Sequence, residues 1–396
     1  MTEEKEKLII KGFNQFGGKH CQTAALKNVL DYHGLHLSEE MLLGLGGGIG
    51  FIYWYVKVMP SPFIGTRYGK GEEFLIKICE RIGGEAIIFQ TTSIRKGHEQ
   101  LKNMLRDGEP VYVFVDMPYL PYLALPEIAH FGGHTIVVFG IDEEENKVYI
   151  SDRGKNYVTS SIEDLKKACS SKFPPFPAKN KILKIKYPSK IGNLEKGIKE
   201  SIRGCCLNML EPPIRNIGLA GIQKWANIVP KWSEQFKGLD LFGCLFNTFI
   251  YIEIGGTGGS AFRPMYAQFL KESSSILNNP RLNEVAKMFE DSGEVWSKIA
   301  AAALPDSWST LRRIRELSFE KNKIFEEQKR GALENMIEIN KEVDKLVKKA
   351  EEDLKKKDLK PLLANLQQKI LNCYEIEEKA FKTLNDIVKQ KDFKIF

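Results

Sequence analysis

Long apolar runs are missing from this 396-residue chain. The longest candidate, Leu241 to Ile254, falls short of the roughly 18 residues that a spanning helix needs, so no membrane segment is expected. The first residues, Met1-Thr2-Glu3-Glu4-Lys5-Glu6-Lys7, are charged where a secretory leader would be apolar, and a cytoplasmic protein is the expectation. Cysteine is present without a pattern: seven residues, an odd number, irregularly spaced and with no CxxC. A disulfide framework and a zinc site are therefore not expected, and reduced thiols fit a cytosolic compartment. No block of one charge sign stands out either. The 58 Lys and Arg against 51 Asp and Glu give a net charge of +7 at pH 7, with lysines interleaved among glutamates. That balance permits an acidic partner and argues against a nucleic-acid patch. Nucleotide motifs are absent as well. The run Gly44-Leu45-Gly46-Gly47-Gly48-Ile49-Gly50 fails GxGxxG and lacks the Gly-Lys-Ser/Thr of a P-loop. Its glycines permit close backbone approach, either to another chain segment or to a ligand.

What is present suits an ordinary globular protein, 43% hydrophobic and 28% charged. Its length exceeds one ordinary core, so two domains are expected. Apolar alternation and turn residues predict strands and short helices up to a break near Tyr187-Pro188-Ser189-Lys190-Ile191-Gly192. Beyond it the pattern is helical, at about 194–210, 214–228, 233–252, 264–277 and 282–303. The division expected is 1–190 and 191–396. From Ala332 a seven-residue rhythm runs through Leu333, Met336, Val343, Val347, Ala350 and Leu354, with Asn340 as the one polar insert. A second series follows Pro361 through Leu363, Leu366, Ile370, Cys373, Ala380, Leu384 and Ile387. Together they predict a helical hairpin within about 311–390, packed on its own domain or paired with another subunit as a homodimer.

The stretch that points to chemistry is Gln15-Phe16-Gly17-Gly18-Lys19-His20-Cys21-Gln22. A glycine-loosened loop runs into a helix whose apolar face is Ala25, Leu26, Val29 and Leu30 and whose stop is Gly34. Cys21 stands at the helix start, where the dipole and free N–H groups favour the thiolate. The alternative is a small buried hydrophobe. Gln15, six residues upstream, is a candidate oxyanion donor. A second stretch, His130-Phe131-Gly132-Gly133-His134, opens a strand that an acidic turn connects to Lys147–Asp152. Hairpin geometry brings Asp152 back toward His134, although a flat register leaves it nearer Val137 and calls for twist or a bulge. Between these stretches, the loop Met117-Pro118-Tyr119-Leu120-Pro121-Tyr122-Leu123 is either an apolar channel lining or a surface loop held by prolines. Cysteine nucleophile, histidine base, orienting aspartate and glutamine oxyanion donor, in the order Gln15, Cys21, His134, Asp152, is the constellation of papain-like enzymes. The fold class expected is therefore α+β, a papain-like domain with a helix packed on an antiparallel sheet, followed by an all-α domain ending in a helical hairpin.

His20-Cys21 through Gly34, Leu37-Ser38-Glu39, the glycine run to Phe51, His130–His134, Ser151-Asp152-Arg153 and Ser170–Pro177 resemble the N-terminal domain of the butirosin-biosynthesis acyltransferase (BtrH) family. Ile252–Gly259 and Phe262-Arg263-Pro264-Met265-Tyr266 are similar to the domain of unknown function that accompanies it. The N-terminal half is also similar to bacteriocin-processing cysteine peptidases. The resemblance implies acyl transfer from a carrier-protein thioester, through an acyl group on Cys21, to an amine of aminoglycoside or diamine type. His134 would be the base and Asp152 its orienter. No bound cofactor or metal is implied, only the phosphopantetheine arm of an acyl or peptidyl carrier protein. Gly256, Thr257, Gly258, Gly259 and Arg263, at a helix start, are candidate contacts for substrate or carrier; the alternatives are a tight turn and an arginine that pins domains together. A peptidase, amidase or thioesterase shares the same residues, and a non-catalytic binding module is the third reading.

Overall fold

A computed structural model of the chain describes residues 5–67, 69–390 and 393. In chain order the elements are β1 (Lys7–Ile9), α1 (Cys21–Tyr32), α2 (Glu39–Leu45), β2 (Ile52–Trp54), β3 (Phe63–Gly65), α3 (Gly71–Arg81), β4 (Glu85–Phe89), α4 (Ile94–Arg106) and β5 (Val111–Val115). Then come β6 (His134–Asp142), β7 (Lys147–Ser151), β8 (Val158–Ser160), α5 (Ile162–Ser170) and β9 (Ile182–Lys186). The helical part comprises α6 (Leu194–Leu210), α7 (Gly218–Ile228), α8 (Trp232–Gln235), α9 (Gly238–Glu253), α10 (Arg263–Ile276), α11 (Arg281–Ala303), α12 (Ser309–Glu327), α13 (Ala332–Lys356) and α14 (Lys360–Val388). The architecture is α+β followed by all-α. Among the described residues no helix is long and apolar enough to cross a membrane.

The chain forms two compact units: residues 1–39, 71–192 and 321–340 make the first, and 40–70, 193–320 and 341–396 the second. One edge of this division lies between 192 and 193. Segments 40–70 and 321–340 each lie in the unit other than the one chain order gives them, because spatial proximity rather than sequence distance assigns them.

In the first unit an antiparallel sheet has the order β4-β9-β5-β6-β7-β8, with β1 pairing β6. Every residue of β5 and β6 is buried, as expected of central strands made of Val, Ile and Phe. Helix α1 packs on β6 and β5 through Ala25, Leu26, Val29 and Leu30, all of them inside. The core beneath includes Val113, Ile136, Val138, Ile150 and Leu165, and it extends to Phe325 and Met336 from the far end of the chain.

The pairing of β6 with β7 is irregular at one point. It runs as Asp142↔Lys147, Ile141↔Val148 and Gly140↔Tyr149, then resumes as Val138↔Ile150 and Val137↔Ser151. Phe139 is thus an extra residue on β6. Without it Asp152 would stand opposite Val137, an odd number of residues from His134 and so on the other face of the sheet. With the bulge the register continues to Ile136, which shares a face with His134 because side chains alternate with a period of two.

The second unit is a helical bundle that also holds the antiparallel pair β2–β3, and in it α14 packs on α11, α7 and α6. Leu363, Leu366, Ile370, Cys373, Ala380, Leu384 and Ile387 of its apolar seam are all buried. Pro361 sits in the first turn of α14, where its missing N–H costs nothing. The continuous helix expected over 233–252 is instead broken: Phe236 is extended (φ −122°, ψ 145°), Gly238 takes φ +53°, and α9 restarts there. The glycine run proves to be packing chemistry, since a Cβ on Gly44 would lie 2.1 Å from the Phe269 ring and one on Gly48 2.4 Å from that of Tyr266.

Arg263 is fully buried in this unit. Its Nε and Nη2 donate to the two Glu377 carboxylate oxygens at 2.6 and 2.9 Å, and its remaining donors reach the carbonyls of Ala261, Thr66 and Gly50. Thr257 is buried too; its hydroxyl donates to the Ile252 carbonyl and accepts from the Gly259 N–H. Gly256, Gly258 and Gly259, all at positive φ, complete the turn. The substrate or carrier contact expected of Thr257 and Arg263 is therefore corrected: their polar groups are spent on the turn and on Glu377, with nothing left for a ligand.

Candidate active site

Helix α1 begins at Cys21 because His20 leaves the helical region (φ −112°, ψ 125°) and the Ala24 N–H closes the first turn on the His20 carbonyl at 2.8 Å. The entering chain is held by Glu39, whose buried carboxylate accepts from the N–H groups of Lys19 and His20 and from the Thr23 hydroxyl. Asn28 ties the same helix to its surroundings: its Oδ1 accepts from the Phe16 N–H at 2.6 Å and its Nδ2 donates to Ser151 Oγ at 3.0 Å. These bonds fix the helix start against the end of β7. The Cys21 N–H, in the first turn, has no intrahelical acceptor and faces the positive end of the helix dipole.

His134 opens β6 and is buried, and the loop before it is tightly anchored. Asp116, at the end of β5 and fully buried, accepts from the Phe131 N–H at 2.7 Å, from Ser171 Oγ at 2.5 Å and from the His130 ring at 2.8 Å. His130 in turn stacks on Phe173 with ring centroids 3.5 Å apart. Gly132 lets the backbone pass residues 176–178, since a Cβ there would lie 2.3 Å from the Phe176 carbonyl oxygen.

The three predicted residues meet. His134 Nε2 lies 2.8 Å from Asp152 Oδ2, and the imidazole and the Cys21 thiol are near enough to shift each other's titration. With Nε2 committed to Asp152, the other ring nitrogen is the one left for sulfur. Burial pushes the Cys21 thiol up, but the His134 hydrogen bond and the His134 and Arg153 charges outweigh it and the net shift is downward. Burial opposes the charge on His134, yet Asp152 and the Cys21 bond raise it to about 10. Asp152 is lowered overall, His134 and Arg153 overcoming its desolvation. All three shifts run in the direction that favours a thiolate beside an imidazolium, backed by a carboxylate. Of the seven cysteines, six are buried and Cys21 keeps part of its surface open. Burial drives Cys79 and Cys169 up to about 12 and Cys205 to about 11, so Cys21 stands apart from these by chemistry as well as access.

Gln15 does not occupy the role expected of it. Its Nε2 donates to the carbonyls of Gly154 at 2.5 Å and Asn156 at 2.7 Å, which uses both amide protons. Gln15 is thus a staple on the loop after Asp152, and an oxyanion at Cys21 is left with the helix-start N–H. Two further neighbours carry no strong sequence signal. Tyr122 donates its hydroxyl to Asp152 Oδ2 at 3.0 Å, the oxygen that His134 also uses. Arg153 donates to the Lys19 carbonyl at 3.1 Å and adds positive charge beside the thiol. The polar tip in an aromatic, proline-flanked loop is the only local hint of Tyr122. Among the described residues no three His, Cys, Asp or Glu side chains gather as metal ligands would.

Residues 20–153 match the family described as Butirosin biosynthesis protein H, N-terminal, and residues 163–324 match Domain of unknown function (DUF4872). The first match contains Cys21, His134 and Asp152, and the second covers the helical region through most of α12. No curated protein matches the chain. With both matches present in this order, the chain belongs to the two-domain butirosin biosynthesis protein H-like family.

Proposed function

We propose that the protein is a cysteine-dependent N-acyltransferase that moves an acyl group from a carrier-protein thioester to an amine. The observation that carries the reading is the His134–Asp152 hydrogen bond beside Cys21 at a helix start, where the interaction with His134 draws the thiol downward. Family membership supports an acyltransferase-like enzyme. The finer reaction comes from the chemistry of the site. The Cys21 thiolate attacks the thioester carbonyl, and the Cys21 N–H holds the oxyanion. The carbon–sulfur bond to the phosphopantetheine arm then breaks, and the departing thiolate takes the proton from the His134 imidazolium. An amine attacks the acyl-Cys21, neutral His134 accepts its proton, and collapse to the amide expels the Cys21 thiolate. The starting charge state is restored. Asp152 stays ionised and holds the imidazole throughout. An acyl or peptidyl carrier protein and a small amine, of aminoglycoside or diamine type, are the substrates in this reading.

A hydrolase of the peptidase, amidase or thioesterase kind uses the same residues with water in place of the amine. Intact-mass analysis after mixing the enzyme with an acyl-loaded carrier, with and without a diamine, tests both. An acyl adduct on Cys21 that yields amide only when amine is present supports the proposal. Free acid at equal rate in both tubes refutes transfer. A Cys21→Ala variant that retains full activity refutes the cysteine chemistry altogether.

A further inference from the structure

The polar insert in the first apolar seam of the C-terminal helices, Asn340, lies within the first compact unit. Its Nδ2 donates to the Ala124 carbonyl at 2.7 Å, Lys321 Nζ donates to the same oxygen at 2.7 Å, and Lys321 also donates to Asn340 Oδ1 at 2.8 Å. Three polar groups thus close a triangle on one carbonyl. Ala124, in the left-handed region at φ +47°, ends the 3-10 turn Pro121–Leu123 that carries Tyr122. The same stretch of chain grips the other loop of the site. The Lys155 N–H donates to the Glu326 carbonyl at 2.8 Å, Asn156 Nδ2 donates to the Glu327 carbonyl at 3.3 Å, and the Arg153 guanidinium lies 5.1 Å from the centre of the buried Phe325 ring. The two loops held in this way supply Asp152 with its Tyr122 and Arg153 neighbours. Most of the brace lies beyond residue 324, where the second family match ends.

We propose that Asn340 and Lys321 are positioning residues for the triad, acting through the Ala124 carbonyl and Tyr122 on Asp152. The inference rests on the triad reading of Cys21, His134 and Asp152. Asp152 Oδ2 accepts from both His134 and Tyr122, so the tyrosine fixes which way the carboxylate faces and, through it, the imidazole. Burial is the largest single influence on the Cys21 thiol and pushes it up; the net downward shift depends on His134, helped by the Arg153 charge. A turn that drifts when its anchor is cut therefore loosens Asp152, weakens the pairing of imidazole and thiol and lets burial push the thiol back up.

The test is the rate of iodoacetamide labelling of Cys21 in the full-length protein from pH 5 to 10, read by peptide mass. Asn340→Leu and Lys321→Met are expected to slow labelling at pH 7 about tenfold, the equivalent of a one-unit rise in the thiol. Tyr122→Phe is expected to do the same. Asn340→Leu combined with Tyr122→Phe is expected to be no worse than either alone, since both act through one path. Asn340→Gln, which keeps a donor, restores part of the rate. Leu354→Ala, a buried apolar change in the second unit, serves as the measure of general loosening. Profiles of Asn340→Leu and Lys321→Met that superimpose on wild type overturn the proposal, as does an equal shift in Leu354→Ala. If wild type and His134→Ala label identically at every pH, the triad itself falls and the brace with it.

Discussion

At the scale of single residues, the site is a contest between burial and pairing. Taking a thiol out of water disfavours its anion, and the buried cysteines of this chain obey that rule. Cys21 departs from it because the His134 ring beside it, with Asp152 behind, outweighs the burial, helped by the Arg153 charge. Asp152→Asn keeps the shape but favours the wrong imidazole tautomer. Turnover is expected to fall about 10³-fold or more, the scale at which a triad aspartate acts; steady-state assays against wild type check it. The same pair carries a pH dependence of stability. His134 titrates near 10 in the folded protein against an ordinary value of 6.5. A raised folded value means that the folded state holds the proton more tightly, so the stabilisation is complete below pH 6.5 and fades as pH rises through about 10. Thermal melts across that window should show a wild-type decline that Asp152→Asn flattens.

The element scale decides whether those residues meet at all. Two devices matter most: the bulge at Phe139, which puts Asp152 on the face of His134, and the Asp116 anchor, which ties the loop before β6 to the end of β5. Gly132 belongs to the second. Its missing side chain lets the loop run against residues 176–178, and the nearest atoms to an added Cβ are backbone, which cannot swing away. Gly132→Ala is expected to cost about 1–3 kcal/mol, the range for a forced core clash. It should also slow Cys21 labelling more than an equally destabilising change in α10. A melt together with a labelling rate separates the two effects. None of this was written in periodicity. Alternation gives β6 and β7 as strands, but one extra residue reverses the faces, and only the paired register locates it.

On the scale of the whole molecule, polar residues set into apolar seams mark where the C-terminal helices make their connections. The second series skips from Cys373 to Ala380, and the place between them is Glu377, fully buried and bonded to Arg263, Ser292 and Trp296. Removing one partner leaves the other charge stranded in the bundle, so Glu377→Gln is expected to destabilise the helical unit by about 3–5 kcal/mol. Replacing both, as Arg263→Met with Glu377→Leu, should recover most of that loss, because the desolvation of two ions disappears with them. Chemical denaturation of both variants against wild type decides it. If the double variant is no better than the single one, the hydrogen bonds of Arg263 to the Ala261, Thr66 and Gly50 carbonyls hold the fold instead.

Local signals pointed to Cys21, His134 and Asp152, and gave the fold class and the helical second half. Each of these is a short-range property: a helix start after glycines, a histidine heading an apolar strand, a seven-residue rhythm. The register that unites His134 with Asp152, the commitment of Gln15 to the loop carbonyls, the burial of Arg263 against Glu377 and the grip of Asn340 on Ala124 came only from the folded chain. They are meetings between residues tens to hundreds of positions apart. Hydrogen-bond partners at such distances are chosen by packing, and no local pattern of residue types encodes which carbonyl a buried amide or guanidinium will find.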